Sequence, residues 1–336
     1  MSSKDQLLAY LKEEKGKWVS GESLSRKMSV TRSAVWKHIL RLKKEGYVIE
    51  SSRRRGYLFR QASDQLFAGE IREGLKTLVF GKRDIVYFQE TDSTNLRAKH
   101  IAENGAPEGT VVIAESQTGG RGRRGRPWFS PAGEGIYVSV ILRPSISPDE
   151  APRLTLLAAV AAAETLLHQT QLRPRIKWPN DIMVDGKKLG GILTQVSTEM
   201  DAVDYIVVGL GLNVNTPRRN FPADLRERAT SIRAEMNRPF ARIDLLRRYL
   251  ERFEDLYGMF NRSGFQPVLD RWKELSDIIG RGIRVDLPNR CYTGKVLDVD
   301  HDGVLILRGE DGILRRIVSG DVTLLDDQKM KKEPPS

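Results

Sequence analysis

The stretch Leu154–Leu167, LTLLAAVAAAETLL, constrains the fold of this 336-residue sequence more than any other. A helix built from it is apolar on every side except at Glu164, so it has no face to give to water. It is too short to span a bilayer, and Glu164 interrupts it. The small residues Ala158, Ala159, Ala161, Ala162 and Ala163 predict close packing against a sheet. Pro152 suits the first helical turn, and Asp149 and Glu150 suit the positive end of the helix dipole.

Strand patterns for that sheet lie on both sides of the helix. DIVYFQE, VVIAESQ and IYVSVIL precede it, and IKWPNDIMV, KLGGILTQVST and YIVVGLGLNVN follow it. The polar segment DSTN and a helix around Leu96 to Glu103 separate the first two strands. Sequential hairpin-like strands with helices on one side predict an α+β domain over residues 63–276. Two helices, near Leu245 to Phe260 and Phe265 to Leu275, close it. Residues 277–326 carry only strand and turn signals, with glycine in HDG and EDG at the turns, and predict a small C-terminal β-barrel. The tail, residues 327–336, is expected to be disordered.

Residues 1–62 read differently. Leu7, Leu8 and Leu11 mark one helix, and Leu24 and Met28 a second short one after Ser20-Gly21. Thr31 is placed to cap a third helix that runs through Leu42, with Val35, Ile39 and Leu42 on one face. Gly21 to Leu40 then has the helix-turn-helix pattern, and YVIESSRRRGYLF forms a hairpin wing tipped by Arg53, Arg54 and Arg55. Arg32, Ser33, Trp36 and Lys37 fall on the outer side of the third helix. Ser33, Trp36 and Lys37 are the candidate base readers, while the arginines suit phosphates. The competing reading is a solvated basic helix beside an unrelated hairpin.

Charge supports an anionic partner. The net charge is +11, and between Arg32 and Arg60 the only acids are Glu45 and Glu50. One cysteine, Cys291, excludes an internal disulfide and fits a reducing compartment. Four scattered histidines and one cysteine make no zinc cluster. No apolar signal core opens the sequence, so a cytoplasmic protein without a membrane partner is expected.

The second basic cluster is GGRGRRGRPWFSP, residues 119–131, in which Arg121, Arg123, Arg124 and Arg126 alternate with glycines. Glycine lets a backbone approach a ligand closely, and arginine offers a fork of donors to phosphate or carboxylate. Gly120 to Gly125 also spells the dinucleotide fingerprint. That fingerprint requires a helix starting within it. Pro127 and a strand-like GIYVSVIL follow instead, which argues against a Rossmann site. A disordered RNA-binding segment is disfavoured because the run is short and lies between two apolar strands.

Four ordered landmarks carry a resemblance: DSTN (Asp92 to Asn95), the loop SQTGGRGRRGRPWFSP, KWPNDI (Lys177 to Ile182) with KKLGGIL (Lys187 to Leu193), and GLGLNVN (Gly209 to Asn215). Together they resemble the biotin–protein ligases. With the N-terminal helix-turn-helix, the sequence is similar to the bifunctional biotin repressor/ligase class over nearly its whole length. The resemblance implies a winged helix-turn-helix, a central α+β ligase domain related to class II aminoacyl-tRNA synthetases, and an SH3-like C-terminal barrel. It implies two substrates, biotin and ATP, with Mg2+, and formation of biotinyl-5′-AMP. The biotin then passes to a lysine of a biotin carboxyl carrier protein. It further implies that the adenylate-bound form dimerises and binds an operator of biotin synthesis or transport genes.

The roles it implies fall on particular residues. Ser93, Thr94, Asn95 and Gln117 suit the neutral ureido ring. Arg121, Gly122 and Arg123 would cover the biotin carboxylate and the α-phosphate. Arg123 and Lys188 are the expected catalytic contacts to reacting oxygens. Lys177, Asn180, Asp181 and Asn213 are expected at the nucleotide, with Asp181 a candidate Mg2+ contact. Trp128 is expected to anchor the loop or the core. Gly190, Gly191, Gly209 and Gly211 fit either close strand packing or direct ligand contact. FPADLRERATSIR, after GLGLNVN, lacks the tryptophan that covers adenine in some relatives. Two alternatives stay open: a regulator that binds biotin without transferring it, and a lipoate–protein ligase of the same fold. Four like charges on a glycine-rich loop also predict that the loop orders only on binding the adenylate.

Overall fold

The computed structural model describes residues 3–61, 63–200, 202–287 and 290–325. It divides into two compact units, Met1–Gln65 and Leu66–Ser336. The tail expected to be disordered, residues 327–336, lies outside the described residues.

The first unit runs α1 (Ser3–Glu13), β1 (Trp18–Val19), α2 (Gly21–Met28), α3 (Arg32–Lys44), β2 (Val48–Ser52) and β3 (Gly56–Gln61). Its turn is set by caps. Ser20 accepts from the Ser23 amide to start α2, Ser29 adopts a left-handed φ of 54° to end it, and Thr31 accepts from Ala34 N to start α3. Leu7, Leu11, Leu24, Val35, Ile39 and Leu42 form the core between the three helices. The wing is a three-stranded sheet in the order β1-β3-β2. The sequence pattern had missed β1, which is only two residues long. Gly56 is required where β3 crosses β1, because its φ is +93° and an added Cβ would lie 2.1 Å from the Val19 carbonyl oxygen.

The second unit continues with α4 (Ala68–Arg72), β4 (Ile85–Phe88), α5 (Thr94–Glu103), β5 (Val111–Ala114), β6 (Gly135–Leu142) and α6 (Ala151–Gln169). Then come β7 (Arg175–Lys177), β8 (Asp181–Val184), β9 (Lys187–Glu199), β10 (Ala202–Asn213), α7 (Ile232–Met236), α8 (Arg242–Ser263) and α9 (Gln266–Leu275). The seven strands form one sheet in the order β4-β5-β6-β10-β9-β8-β7, antiparallel except for β4 and β5. The alanine-rich helix is α6, and it is buried as its composition demands. Its one acid, Glu164, is held by Arg252 of α8 and Arg271 of α9.

One expectation is corrected here: the helices do not keep to one side. Val111, Val138, Val140, Ile206 and Val208 point into the large core with α6 and α8. Val112, Ile141, Tyr205 and Val207 point the other way, against Ala98 and Ala102 of α5. Strand alternation makes this possible, since each strand offers two faces and both are apolar here. The face under α5 is the one that carries the site described below.

Strands β11 (Gly282–Asp286), β12 (Cys291–Val299), β13 (Leu305–Gly309), β14 (Leu314–Ile317) and β15 (Asp321–Leu324) make a separate antiparallel sheet, in the order β14-β13-β12-β11-β15. It is bolted to the larger sheet through buried Trp178, whose indole Nε1 donates to the Gly303 carbonyl at 3.1 Å. Among the described residues no helix is long and apolar enough to cross a membrane.

A second buried contact fixes the long connection between β5 and β6. Arg242, 2% exposed, donates to Glu115 at 2.9 Å at one end of that connection and to the Gly135 carbonyl at 3.1 Å at the other. Replacing one partner strands the other charge in the interior. Arg242→Met is therefore expected to cost about 3–5 kcal/mol of stability. Urea denaturation measures this, and Glu115→Gln combined with Arg242→Met should recover part of the loss.

Candidate functional site

The polar end of the site is built where α5 begins. Thr94 N donates to Gln117 Oε1 at 2.8 Å, and Gln117 Nε2 donates to Ser130 Oγ at 2.9 Å. Asn95 Nδ2 donates to the Leu193 carbonyl and to Gln195 Oε1, both at 3.0 Å, which leaves Asn95 Oδ1 as an acceptor. Ser139 Oγ lies 2.7 Å from that oxygen and 2.9 Å from Thr94 Oγ1. Asn95 Oδ1 can only accept, so Ser139 donates to it, while the Thr94 hydroxyl lies between Ser139 and Gln117 Oε1, 3.2 Å away. Ser93 starts the helix without a side-chain cap bond, so its hydroxyl stays uncommitted there. All four expected residues, Ser93, Thr94, Asn95 and Gln117, are thus brought together at this end.

The floor is glycine, and close packing accounts for each position. A Cβ on Gly209 would lie 2.0 Å from Asn95 Oδ1, and one on Gly211 would lie 2.6 Å from the Trp128 indole. A Cβ on Gly190 would crowd the Gly211 carbonyl at 3.0 Å, and one on Gly191 would meet Lys188 at 3.3 Å. These positions let a side chain or a neighbouring strand lie directly on the sheet. Trp128 anchors the loop, as expected: its amide donates to the Gly120 carbonyl, and its ring covers Gly211.

The charged end lies where the Arg-Gly loop meets β8 and β9. Gly122 N donates to the Arg126 carbonyl at 2.7 Å, so the loop closes on itself. Arg123 Nη1 lies 3.4 Å from both Asn180 Oδ1 and the Gly320 carbonyl. Burial pushes its pKa down, but a guanidinium stays charged. Lys188 Nζ pairs with Asp181 at 2.6 Å and lies 5.3 Å from the centre of the Trp128 ring. The Lys188 backbone is fixed on both sides, donating to Arg228 O and accepting from Thr230 N. Burial also holds the Lys177 ammonium below the usual lysine range, partly offset by Asp181.

Some of the expected contact residues also have protein partners. Asn180 Nδ2 is spent on the Ile192 carbonyl at 2.7 Å, so this residue supports Arg123 and the β9 backbone. Asn213 Nδ2 is spent on Thr230 O at 3.0 Å. Arg121 is exposed beside the loop. The expectation of a self-repelling loop left out Asp321, which accepts from Arg124 at 2.8 Å and from Arg126 at 2.6 Å. Ser139, Ser130, Gln195 and Asp321 were not foreseen. Ser139 had a signal, as the single polar residue in the otherwise apolar GIYVSVIL.

The first unit presents a second candidate surface. Arg32, Ser33, Trp36 and Lys37 are all exposed on α3, and Arg53, Arg54 and Arg55 are exposed at the wing. Arg55 is turned back, its guanidinium 4.2 Å from the centre of the Trp18 ring.

Known proteins match along the same division. A family model described as "Biotin/lipoate A/B protein ligase family" matches residues 86–213, one described as "HTH domain" matches 4–58, and "Biotin protein ligase C terminal domain" matches 278–325. The bifunctional ligase/repressor BirA of Bacillus subtilis is 39% identical over 95% of this chain and 97% of its own. That of Escherichia coli is 30% identical over 94% of this chain and 95% of its own. A solved biotin protein ligase from Aquifex aeolicus, in complex with biotin and ATP, superposes with a TM-score of 0.62 at 29% identity. It covers 72% of this chain and 99% of its own.

Two outcomes follow from the geometry. Gly209→Ala should displace Asn95 and weaken ligand binding at the polar end by about tenfold or more, read by calorimetry with biotin. Lys177 has a folded pKa below its unfolded value of about 10.4, so the unfolded chain binds more protons between the two and stability rises with pH across that window. Lys177→Met should therefore be the more stable protein at neutral pH, with an advantage that shrinks as pH climbs through the window. Urea denaturation over a pH series checks it.

Proposed function

The chain belongs to the biotin–protein ligases of the bifunctional ligase/repressor type, and on that premise we propose how its residues divide the work. The biotin carboxylate attacks the α-phosphorus of ATP, forming biotinyl-5′-AMP and releasing pyrophosphate. The amine of a carrier lysine then attacks the mixed anhydride, and AMP leaves. Both steps move negative charge on carboxylate and phosphate oxygens, so the site acts by positioning and by preorganised positive charge.

The observation that carries this reading is the split between a neutral and a charged end on one glycine floor. The neutral ureido ring cannot be held by charge, and Ser93, Thr94, Asn95 and Gln117 offer it donors and acceptors in a buried setting. The biotin tail then runs from that end past Asn95 and Trp128, which rest on Gly209 and Gly211. Its carboxylate ends near Arg123 and Lys188, with the Gly122 backbone allowing close approach and Arg121 closing from the exposed side. Lys188 has a clamped backbone and one ion-pair partner among the described residues, Asp181, so its ammonium can pass from that carboxylate to the reacting oxygens. Lys177 and Asn213 lie toward the nucleotide, and Asn180 steadies Arg123 there. One carboxylate, Asp181, fits the way Mg2+ is held, by one or two acids plus phosphate oxygens. When bound, Mg2+ would neutralise phosphate charge.

The first unit binds operator DNA through α3 and the wing, with biotinyl-5′-AMP as corepressor and a homodimer as the binding form. The coupling is reciprocal: if adenylate favours the DNA-bound state, DNA favours adenylate binding. A cytoplasmic setting supplies ATP and reduced Cys291. Since one family model covers both biotin and lipoate ligases, the lipoate alternative is opposed by the biotin ligase C-terminal match instead. A binding-only regulator is opposed by the retained Arg123 and Lys188.

Incubation with labelled biotin, ATP and a carrier domain should label the carrier; an unlabelled carrier would sink the ligase reading. Arg123→Ala and Lys188→Ala should each slow pyrophosphate release by about 100- to 1,000-fold, the scale for losing one preorganised donor. Normal rates in either variant would refute its assigned role.

A further inference from the structure

The outward face of α3 carries a feature that phosphate binding does not explain. Val35, Ile39 and Leu42 face the core. At 100° per residue, Ser33, Lys37, Leu40 and Lys44 fall on the opposite side, and Trp36 on the flank next to Leu40. Two of these are large and apolar: Trp36 is 52% exposed and Leu40 is 44% exposed. They are spaced i,i+4, so they stand as neighbours on the helix surface. A scattered exposed leucine needs no explanation, but an adjacent pair in the middle of a helix face marks a contact surface.

The surroundings define the partner. Arg32, Lys37, Arg41, Lys43 and Lys44 surround the pair and are exposed. The two acids of this region are occupied, Glu45 by Lys4 at 2.7 Å and Glu50 by Arg60 at 2.8 Å. The face is thus an apolar ridge framed by uncompensated positive charge. Its complement is a polyanion that offers apolar groups between its charges. The major groove of DNA does this, with phosphates along both walls and the thymine 5-methyl groups projecting from the base edges. RNA does not, because its major groove is too narrow for side chains to read and uracil has no methyl group.

We propose that Trp36 and Leu40 read thymine methyl groups in the major groove, so that part of the sequence preference is apolar and not carried by hydrogen bonds. Ser33 and Lys37, on either side of the ridge, would supply polar contacts to neighbouring base edges. The proposal rests on the DNA-binding reading above and specifies what that surface recognises.

The probe is a duplex selected from a random-sequence DNA library by the full-length protein with biotin and ATP. Each thymine of the selected site is then replaced in turn by deoxyuridine, which removes only the methyl group. The unaltered protein should lose about fourfold in affinity at each contacted thymine, the scale for one buried methyl group. Trp36→Ala or Leu40→Ala should abolish the loss at the matching positions, and Trp36→Phe or Leu40→Met should restore part of it. No loss at any thymine, or equal losses in the unaltered protein and both alanine variants, overturns the proposal while DNA binding stands. Failure to select any duplex overturns the DNA-binding reading and the proposal together. Should an alanine variant not fold, as judged by thermal unfolding, the uracil series on the unaltered protein and on the conservative variants still decides the matter.

Discussion

Everything that covers the ligase site hangs from one buried cation. Arg242 opens α8 and holds both Glu115 and the Gly135 carbonyl. Between those two points run Gln117, the Arg-Gly loop and Trp128. A guanidinium has a planar fork of five donors, which lets a single side chain fix two strands of backbone at a set spacing. Removing both charges from water is expensive, and the pair is tolerated because each is hydrogen-bonded within the interior. The two roots of the loop thereby keep their places relative to the sheet.

On the sheet itself, strand alternation creates two surfaces of different kinds. One is filled by α6 and α8 with large apolar side chains, and its strictness supplies rigidity. The other exchanges side-chain bulk for access. Gly209 and Gly211 bring Asn95 and Trp128 down onto the backbone, and Ser139 is the hydroxyl that orients Asn95 and Thr94. Polar groups left over there are arranged in a connected set, which the low dielectric of a buried site makes stiff. A cluster of cationic groups gathers at the far end, around Arg123, Lys177 and Lys188. The separation matches a substrate that is neutral at its ring and anionic where it reacts.

Much of this was legible in residue order. Thr31 as a cap, the apolar face of α3 and the alanine helix α6 were set by local chemistry, and the structure places them as periodicity requires. The four landmark segments also lie around one site. What local chemistry could not reveal were partnerships between distant residues. Asp321 neutralises Arg124 and Arg126 from the last strand of the C-terminal sheet. Gly303 accepts from Trp178, 125 residues before it. The side amides of Asn180 and Asn213 are consumed by backbone carbonyls, which no spacing rule indicates. The placement of α5 opposite α6 failed for a related reason, because two-sided apolar strands do not say which helix takes which face.

The attachment of Arg124 and Arg126 to Asp321 gives synthesis of the chain a direction. Protein domains fold as units while the ribosome is still working, the N-terminal ones first. The first unit is complete in sequence by Gln65. The Arg-Gly loop is made early as well, yet the acid that pairs with it is the first residue of the last described strand. A nascent chain thus carries a complete first unit long before Asp321 is available to pair with Arg124 and Arg126.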